Sequence, residues 1–387
     1  MQRTSPLCDP TPVPLRLALF YAAFFPTYGI YIPFLPSYLA GKGMTAEEIG
    51  YLLGAIQISR LIGNPLIARA ADAWGEARRP LIILTLASLL GFALFLVIDG
   101  FGGLLLLCLA LGLVFTAVGP LMDSLAVSAA AASGFDYGRV RLWGSLTYVL
   151  AATLGGVAIA RYGSPLTMWL IVAGWVMTVG AAFLLPRLPR RRAGEAGMVS
   201  LLTDPGFLLM LATSATIQSS HALLYAFGTI HWLAAGYGAG TIGWLWALSV
   251  IAEIMLFWAG KNLLRRLRGP ELFVMGAAAA LIRWLLAGLG TGLPLLCLAQ
   301  SLHGFSFAAT HLAAMTYLAR HTPPGLAASA QMLQAIAVGA TTGIVTLATG
   351  SLYAALGGHG FFVMAAIAAL GLLLALKAMG KDVRLSL

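Results

Sequence analysis

Apolar runs, each about as long as a bilayer is thick, recur along the chain and are parted by short polar hinges. A membrane helix needs about 20 apolar residues. Twelve stretches qualify: 15–38, 46–69, 80–98, 103–131, 138–161, 166–187, 206–234, 240–262, 271–290, 293–319, 326–355 and 357–379. Their connections are short, so consecutive helices run antiparallel. The exception is Pro186–Pro205, which contains Arg187, Arg190, Arg191 and Arg192 and lacks an apolar period. The predicted architecture is an all-α integral membrane protein. Its twelve transmembrane helices form two pseudo-symmetric six-helix bundles, 1–187 and 206–387, joined by a linker at 188–205.

Composition supports that pattern. Of 387 residues, 60% are hydrophobic and 9% charged, against about 25% charged in soluble proteins. Lipid is therefore the expected solvent. Met1–Pro14 is polar and proline-rich and lacks the apolar core of a cleaved signal peptide. The net charge of +10 raises nucleic acid as a partner, but the positions of the charges exclude it. With both termini cytoplasmic, only Lys42 and Arg161 of the 23 lysines and arginines fall on the far side; Arg60 and Arg283 lie inside helices 2 and 9. That bias fixes a multi-pass topology in the cytoplasmic (inner) membrane. Cys8, Cys108 and Cys297 lie far apart, giving neither a disulfide framework nor a metal site. With no HExxH, P-loop or Cys/His cluster at ligand spacing, no enzyme, cofactor or metal is expected.

Helix 2 ends in a basic hairpin from Arg69 to Arg79, and its counterpart helix 8 ends in another from Lys261 to Arg268. Repeated halves of this kind place a substrate site at their interface near mid-membrane. Helix 1 presents Phe25, Tyr28 and Tyr31 among Pro26, Pro33 and Pro36; it reads either as a helix bent for packing or as a flexible, cavity-facing gate.

Ionisable residues inside the apolar runs are costly and point to function. Arg141 stands in the first turns of helix 5, after the polar stretch Asp136 to Ser145, and Asp123 lies on helix 4. At about 1.5 Å per residue the two differ in depth by about 6 Å, within reach of an arginine side chain. They form either a structural ion pair or a substrate clamp in which Arg141 offers a planar fork of donors to a carboxylate. Glu253 on helix 8 is either a permanently neutral acid or a proton carrier. Arg283 on helix 9 needs a counter-charge, and Glu253 is the nearest by connectivity. His303 and His311 on helix 10 point about 80° apart, so one cavity accommodates both, as proton-coupling groups or as packing residues. His221, beside Gln218 and Ser219, is a further substrate contact. Tyr225 and Trp246 are positioned to stack on an aromatic substrate, while most other tryptophans, such as Trp244 and Trp258, read as packing or interfacial anchors. Arg60 is expected to snorkel toward the cytoplasm.

Several stretches carry a resemblance: Tyr28-Gly29-Ile30 with Pro33-Phe34, Asp136 to Ser145, Gly243 to Glu253, Leu302-His303-Gly304, Thr310 to Met315, and Gly357 to Gly360. Through them the chain resembles the major facilitator superfamily, and within it the phenylpropionate permease family of proton symporters. The likeness runs nearly end to end. A more distant similarity to the lactose permease group implies roles. Gly138-Arg139-Val140-Arg141 looks like that group's helix-5 motif, whose second arginine binds substrate, and Asp123 stands where a helix-4 carboxylate pairs with it. Glu253 matches a glutamate involved in substrate contact and coupling, Arg283 a helix-9 arginine, and His303 a histidine near the proton site. The group's proton-carrying glutamate, three residues after that histidine, is Ser306 here. The superfamily's helix 2–3 loop signature is degenerate: Asp72, Gly75, Arg78 and Arg79 persist, while Ala68 and Ala73 replace its first glycine and an arginine.

The resemblance implies a proton-coupled carrier that imports a small organic anion, an aromatic carboxylate such as 3-phenylpropionate, as a functional monomer. A sugar or nucleoside symporter, or a drug or metabolite exporter, remains open beside it. An aqueous channel fits sparse buried charges in paired halves less well.

Overall fold

A computed structural model describes residues 12–188, 198–323 and 326–385. Arg190, Arg191 and Arg192 of the basic linker, and Cys8, lie outside the described residues, as do the side chains of 260–266.

Among the described residues the chain is helical and falls into twelve spans. The first three are α1 (Val13–Gly41), α2 (Ala46–Trp74) and α3 (Arg78–Leu94). The fourth comprises α4 (Phe101–Val114), a 3₁₀ turn at Phe115–Ala117 and α5 (Val118–Ser133). Then come α6 (Tyr137–Tyr162) and α7 (Leu166–Leu184). A short helix, α8 (Met198–Leu202), stands in the segment expected to be a plain loop. The seventh span is α9 (Pro205–Ser219) and α10 (Ala222–Ala234), followed by α11 (Ala239–Arg266) and α12 (Gly269–Leu289). The tenth is α13 (Leu293–Ser301), a π-helical turn at Gly304–Ala309 and α14 (Thr310–His321). The last two are α15 (Ala327–Leu356) and α16 (Gly360–Leu385).

Local chemistry sets the ends. Thr45 and Glu48 form a reciprocal capping box at the start of α2. Asp136 and Asp204 cap α6 and α9 without a reciprocal bond, each carboxylate accepting from the backbone N–H two residues on at 2.8 Å. Nothing comparable marks the breaks in spans 4, 7 and 10, which apolar periodicity reads as continuous. With the three prolines inside α1, every third span carries a disruption. Irregular backbone at membrane depth persists only where protein or a cavity satisfies it.

Within the first half α1 packs on α6 and α7, α2 on α4, and α3 on α7; within the second, α9 packs on α15 and α16, and α12 on α16. The halves meet chiefly along two helix pairs, α2 with α15 and α6 with α11. These are spans 2 with 11 and 5 with 8, which exchange under the pseudo-twofold. Glycines allow both crossings. A Cβ on Gly243 would lie 2.0 Å from the Ala152 carbonyl oxygen, and one on Gly156 would lie 2.5 Å from that of Ala239. At the other pair, a Cβ on Gly50 would lie 2.8 Å from the Gly350 nitrogen. All four glycines belong to turns at the end of the bundle opposite the chain termini. The halves are therefore closed together at that end.

Candidate functional site

The turn between α5 and α6 builds the first cluster. Gly134 ends α5 at φ 72°, a left-handed conformation that suits glycine. The Asp136 cap then starts α6, which brings Arg141 back beside Asp123. The Asp123 carboxylate accepts from the Tyr21 hydroxyl at 2.6 Å and the Tyr137 hydroxyl at 3.1 Å, with Arg141 Nε 3.7 Å away. The guanidinium lies over the Phe25 ring at 4.0 Å and 5.4 Å from that of Tyr21, adding cation–π attraction of about 0.5–2 kcal/mol. Tyr21 and Tyr137 are new to this cluster. Tyr21 stands two helical turns before Tyr28, so its face was readable, but its partner was not.

Rings continue from Phe25 along α1. Tyr21–Phe25, Phe25–Tyr28 and Tyr28–Tyr31 centroids stand 6.2, 6.1 and 5.9 Å apart. Phe115, at the 3₁₀ turn, packs against Tyr31 at 5.3 Å, and Phe92 and Trp175 close the back of the ladder.

The second cluster occupies the other half. Arg283 is 1% exposed. Its Nη1 donates to His303 Nδ1 at 2.7 Å and to Ser306 Oγ at 3.3 Å, and its Nη2 donates to Gln300 Oε1 at 2.7 Å. Trp284 lies 4.6 Å from the guanidinium carbon. Gln300 is held in turn by the Leu245 carbonyl at 3.1 Å. Because arginine only donates, His303 Nδ1 must be the acceptor. The ring proton is then on Nε2, which faces Glu253 Oε2 at 3.9 Å.

His221 joins the same network. It sits at the break between α9 and α10, where its Nδ1 faces the Ile217 and Gln218 carbonyls at 3.2 Å and its Nε2 meets Ser306 Oγ at 3.0 Å. Ser306 thus bridges both histidines' surroundings and Arg283. Gln300, His303 and Ser306 repeat every three residues, a helical face that was legible beforehand; only the packing joins them to Arg283. Tyr225 stacks between His221 and Trp246, each at 6.0 Å, and Trp246 Nε1 donates to Thr229 Oγ1 at 3.0 Å. Trp258, 88% exposed, stands apart on the outer surface.

Three expectations need correction. Arg283 does not pair directly with Glu253: His303 stands between them, because Arg283 of span 9 is sunk among the neutral acceptors of span 10. His311 does not share the His303 network. The π-helical turn intervenes, and its ring lies edge-on to Phe257 at 6.3 Å. Arg60 does not snorkel free. It lies at the α2–α15 crossing, where a Cβ on Gly339 would come within 2.9 Å of its Nη2.

The two clusters face one another across the α6–α11 pair. Glu253 is in electrostatic range of Arg141 on the opposite half, and Tyr148 of α6 is in range of both Tyr225 and Glu253. Arg141 on one half, held by Asp123, and Glu253 on the other, beside His303 Nε2, make an arrangement that a charged ligand and a proton can redistribute.

The model of the MFS_1-like family matches residues 14–364. The chain is 33% identical over 359 residues to an Escherichia coli (strain K12) protein described as "Probable 3-phenylpropionic acid transporter", spanning 91% of this chain and 94% of that one. It is 29% identical over 280 residues to the maltose permease of Geobacillus stearothermophilus, 69% of each chain. The crystal structure of the nucleoside transporter NupG superimposes with a TM-score of 0.82 at 16% identity, covering 96% of this chain and 99% of that one, a likeness of fold.

Proposed function

The chain belongs to the MFS_1-like family and is a multi-pass membrane protein, a major facilitator secondary transporter of small organic substrates, and we propose that it carries an aromatic carboxylate into the cell together with a proton. One observation carries this reading: Arg141 on α6 and Glu253 on α11 stand on helices packed together across the halves and lie within electrostatic range of each other, so a substrate entering between them meets a cation on one side and a proton-accepting group on the other. The name of the Escherichia coli relative agrees with a 3-phenylpropionate-like substrate, and the ring ladder on α1 suits its aromatic body.

Residues 1–187 and 206–387 act as the two moving units, with 188–205 as their linker. Both termini lie in the cytoplasm, so the glycine crossings seal the outer end and the substrate path opens inward. Arg141 is held by Asp123 when the site is empty and swings its donor fork to the carboxylate when substrate arrives. Tyr28 lines the ring-binding side, with His221 and Trp246 opposite. Glu253 and His303 exchange the proton, a transfer that needs only a rotamer change or one bridging water across 3.9 Å. Arg283 holds the His303 tautomer. One anion and one proton cross without net charge, and the chain works as a monomer.

Uptake of labelled 3-phenylpropionate into proteoliposomes tests this. Saturable uptake stimulated by an inside-alkaline gradient is expected. No gradient-stimulated uptake of any aromatic acid would defeat the proposal. A second reading, a neutral sugar-like substrate, is favoured by the maltose permease relative and by neutral donors such as Gln334, bonded to Ser214 at 3.2 Å. Competition by neutral sugars rather than carboxylates would select it.

A further inference from the structure

Three arginines lie inside the bundle, and they are satisfied unequally. Arg141 has Asp123, and Arg283 has three neutral acceptors and a tryptophan face. Arg60 on α2 makes one hydrogen bond, from Nη1 to the Gln57 side chain on its own helix at 3.3 Å. Among the described residues no carboxylate pairs with it. A guanidinium has five N–H donors, so most of its capacity is unused. The residue is half-buried and its unused donors are not sealed off, so they can meet an anion that reaches the crossing.

Its surroundings point the same way. Arg60 stands at the crossing of α2 and α15, between the halves, with Gly339 leaving room for the flat guanidinium: a Cβ there would lie 2.9 Å from Nη2 and 3.1 Å from Nε. The Tyr28 and Tyr31 hydroxyls of α1 are in its electrostatic range. Neither hydroxyl has a hydrogen-bond partner among the described residues, and neither is sealed from solvent. These tyrosines end the α1 ladder whose other end, Tyr21 and Phe25, lies under Arg141. The ladder is therefore a track of rings with a guanidinium at each end, one compensated and one not.

We propose that Arg60 is a second carboxylate-binding residue, with the Tyr28 and Tyr31 hydroxyls as auxiliary donors, so that an aromatic acid first lies on the α1 ladder with its carboxylate at the α2–α15 crossing, Arg141 staying paired with Asp123 until the carboxylate passes to it. The inference rests on the aromatic-carboxylate reading above and adds a group that sets its selectivity for anions. Carboxylate geometry matches the fork of an arginine better than the point charge of a lysine, so the two substitutions separate.

The test compares binding of 3-phenylpropionate and its neutral isostere 3-phenylpropionamide to the full chain and to Arg60→Gln, Arg60→Lys and Tyr28→Phe/Tyr31→Phe, each checked for monodispersity. Loss of a charge-assisted pair weakens Arg60→Gln for the acid by about tenfold or more and leaves the amide unchanged, with Arg60→Lys intermediate and the tyrosine double variant a fewfold weaker. Acid binding by Arg60→Gln equal to that of the unaltered chain overturns the inference. Should Arg60→Gln not fold, Gly339→Leu displaces the guanidinium without removing it and must weaken the acid selectively; unaltered acid binding there also overturns it. If the unaltered chain binds no aromatic acid, both this inference and the substrate reading fail. If it binds acid and the Arg60 variants bind as well, only this one does.

Discussion

Nη1 of Arg283 donates to Nδ1 of His303 at 2.7 Å, and that contact decides which ring nitrogen is left to face Glu253. The arginine selects a tautomer and holds the ring; in the proposed mechanism it is a positioning residue, and the acid across from the ring receives or gives the proton.

Replacement of His303 by glutamine keeps an acceptor for Arg283 and a donor toward Glu253 but removes the exchangeable ring proton. Gradient-driven accumulation of substrate should collapse in His303→Gln, while energy-independent counterflow continues. Glu253→Gln should behave alike. Uphill accumulation at the rate of the unaltered chain in either variant would remove that residue from the proton path.

Asp123→Asn retains an oxygen for Tyr21 and Tyr137 but loses the charge that restrains Arg141. The freed guanidinium should hold an anionic substrate about 3- to 10-fold more tightly, consistent with an ion pair of about 1 kcal/mol, and release it more slowly. Weaker acid binding in Asp123→Asn would mean that the carboxylate contributes to the site directly.

Gln300 joins the Arg283 guanidinium to the Leu245 carbonyl. Gln300→Ala leaves a buried donor, Arg283 Nη2, and a buried acceptor, the Leu245 carbonyl, unmatched, a loss of about 1–3 kcal/mol, and should lower Tm in detergent. Gln300→Glu supplies a carboxylate to Arg283 and should recover part of that loss. An unchanged Tm for the alanine variant would show that water takes over both contacts.

The crossing at Gly243 has no room for a side chain, since a Cβ would overlap the Ala152 carbonyl. Gly243→Val should therefore disfavour the state closed at the end opposite the termini by about 1–3 kcal/mol, the usual effect of overpacking. Spin labels on the 163–165 and 235–238 hinges should report a wider separation than in the unaltered chain. An unchanged distance distribution would show that the helices part only slightly to accommodate the substitution.

Span number, the two-half arrangement and the helix ends within a few residues were legible in the sequence, because each depends on local facts. Apolar length has to match the bilayer, and caps such as Thr45, Asp136 and Asp204 act within one turn. The Asp123–Arg141 pair was legible for the same reason, since a short turn joins their helices and fixes their depths. The sequence could also nominate Glu253, Arg283 and His303, because a charge in an apolar run is conspicuous wherever it points.

What packing alone decided is which of these meet. Connectivity suggested Glu253 for Arg283, whereas the geometry of spans 8, 9 and 10 inserts His303 between them and draws in Gln300, Ser306 and His221. The π-helical turn separates His311 from His303, and no periodicity in the apolar residues signals such a break. Arg60 reads as a snorkelling residue until α15 from the other half is seen crossing it at Gly339. These contacts join residues many turns apart in the chain, and they depend on helix crossing and rotation set by many side chains together. A one-dimensional pattern records which face of a helix avoids water, but not which helix lies against that face.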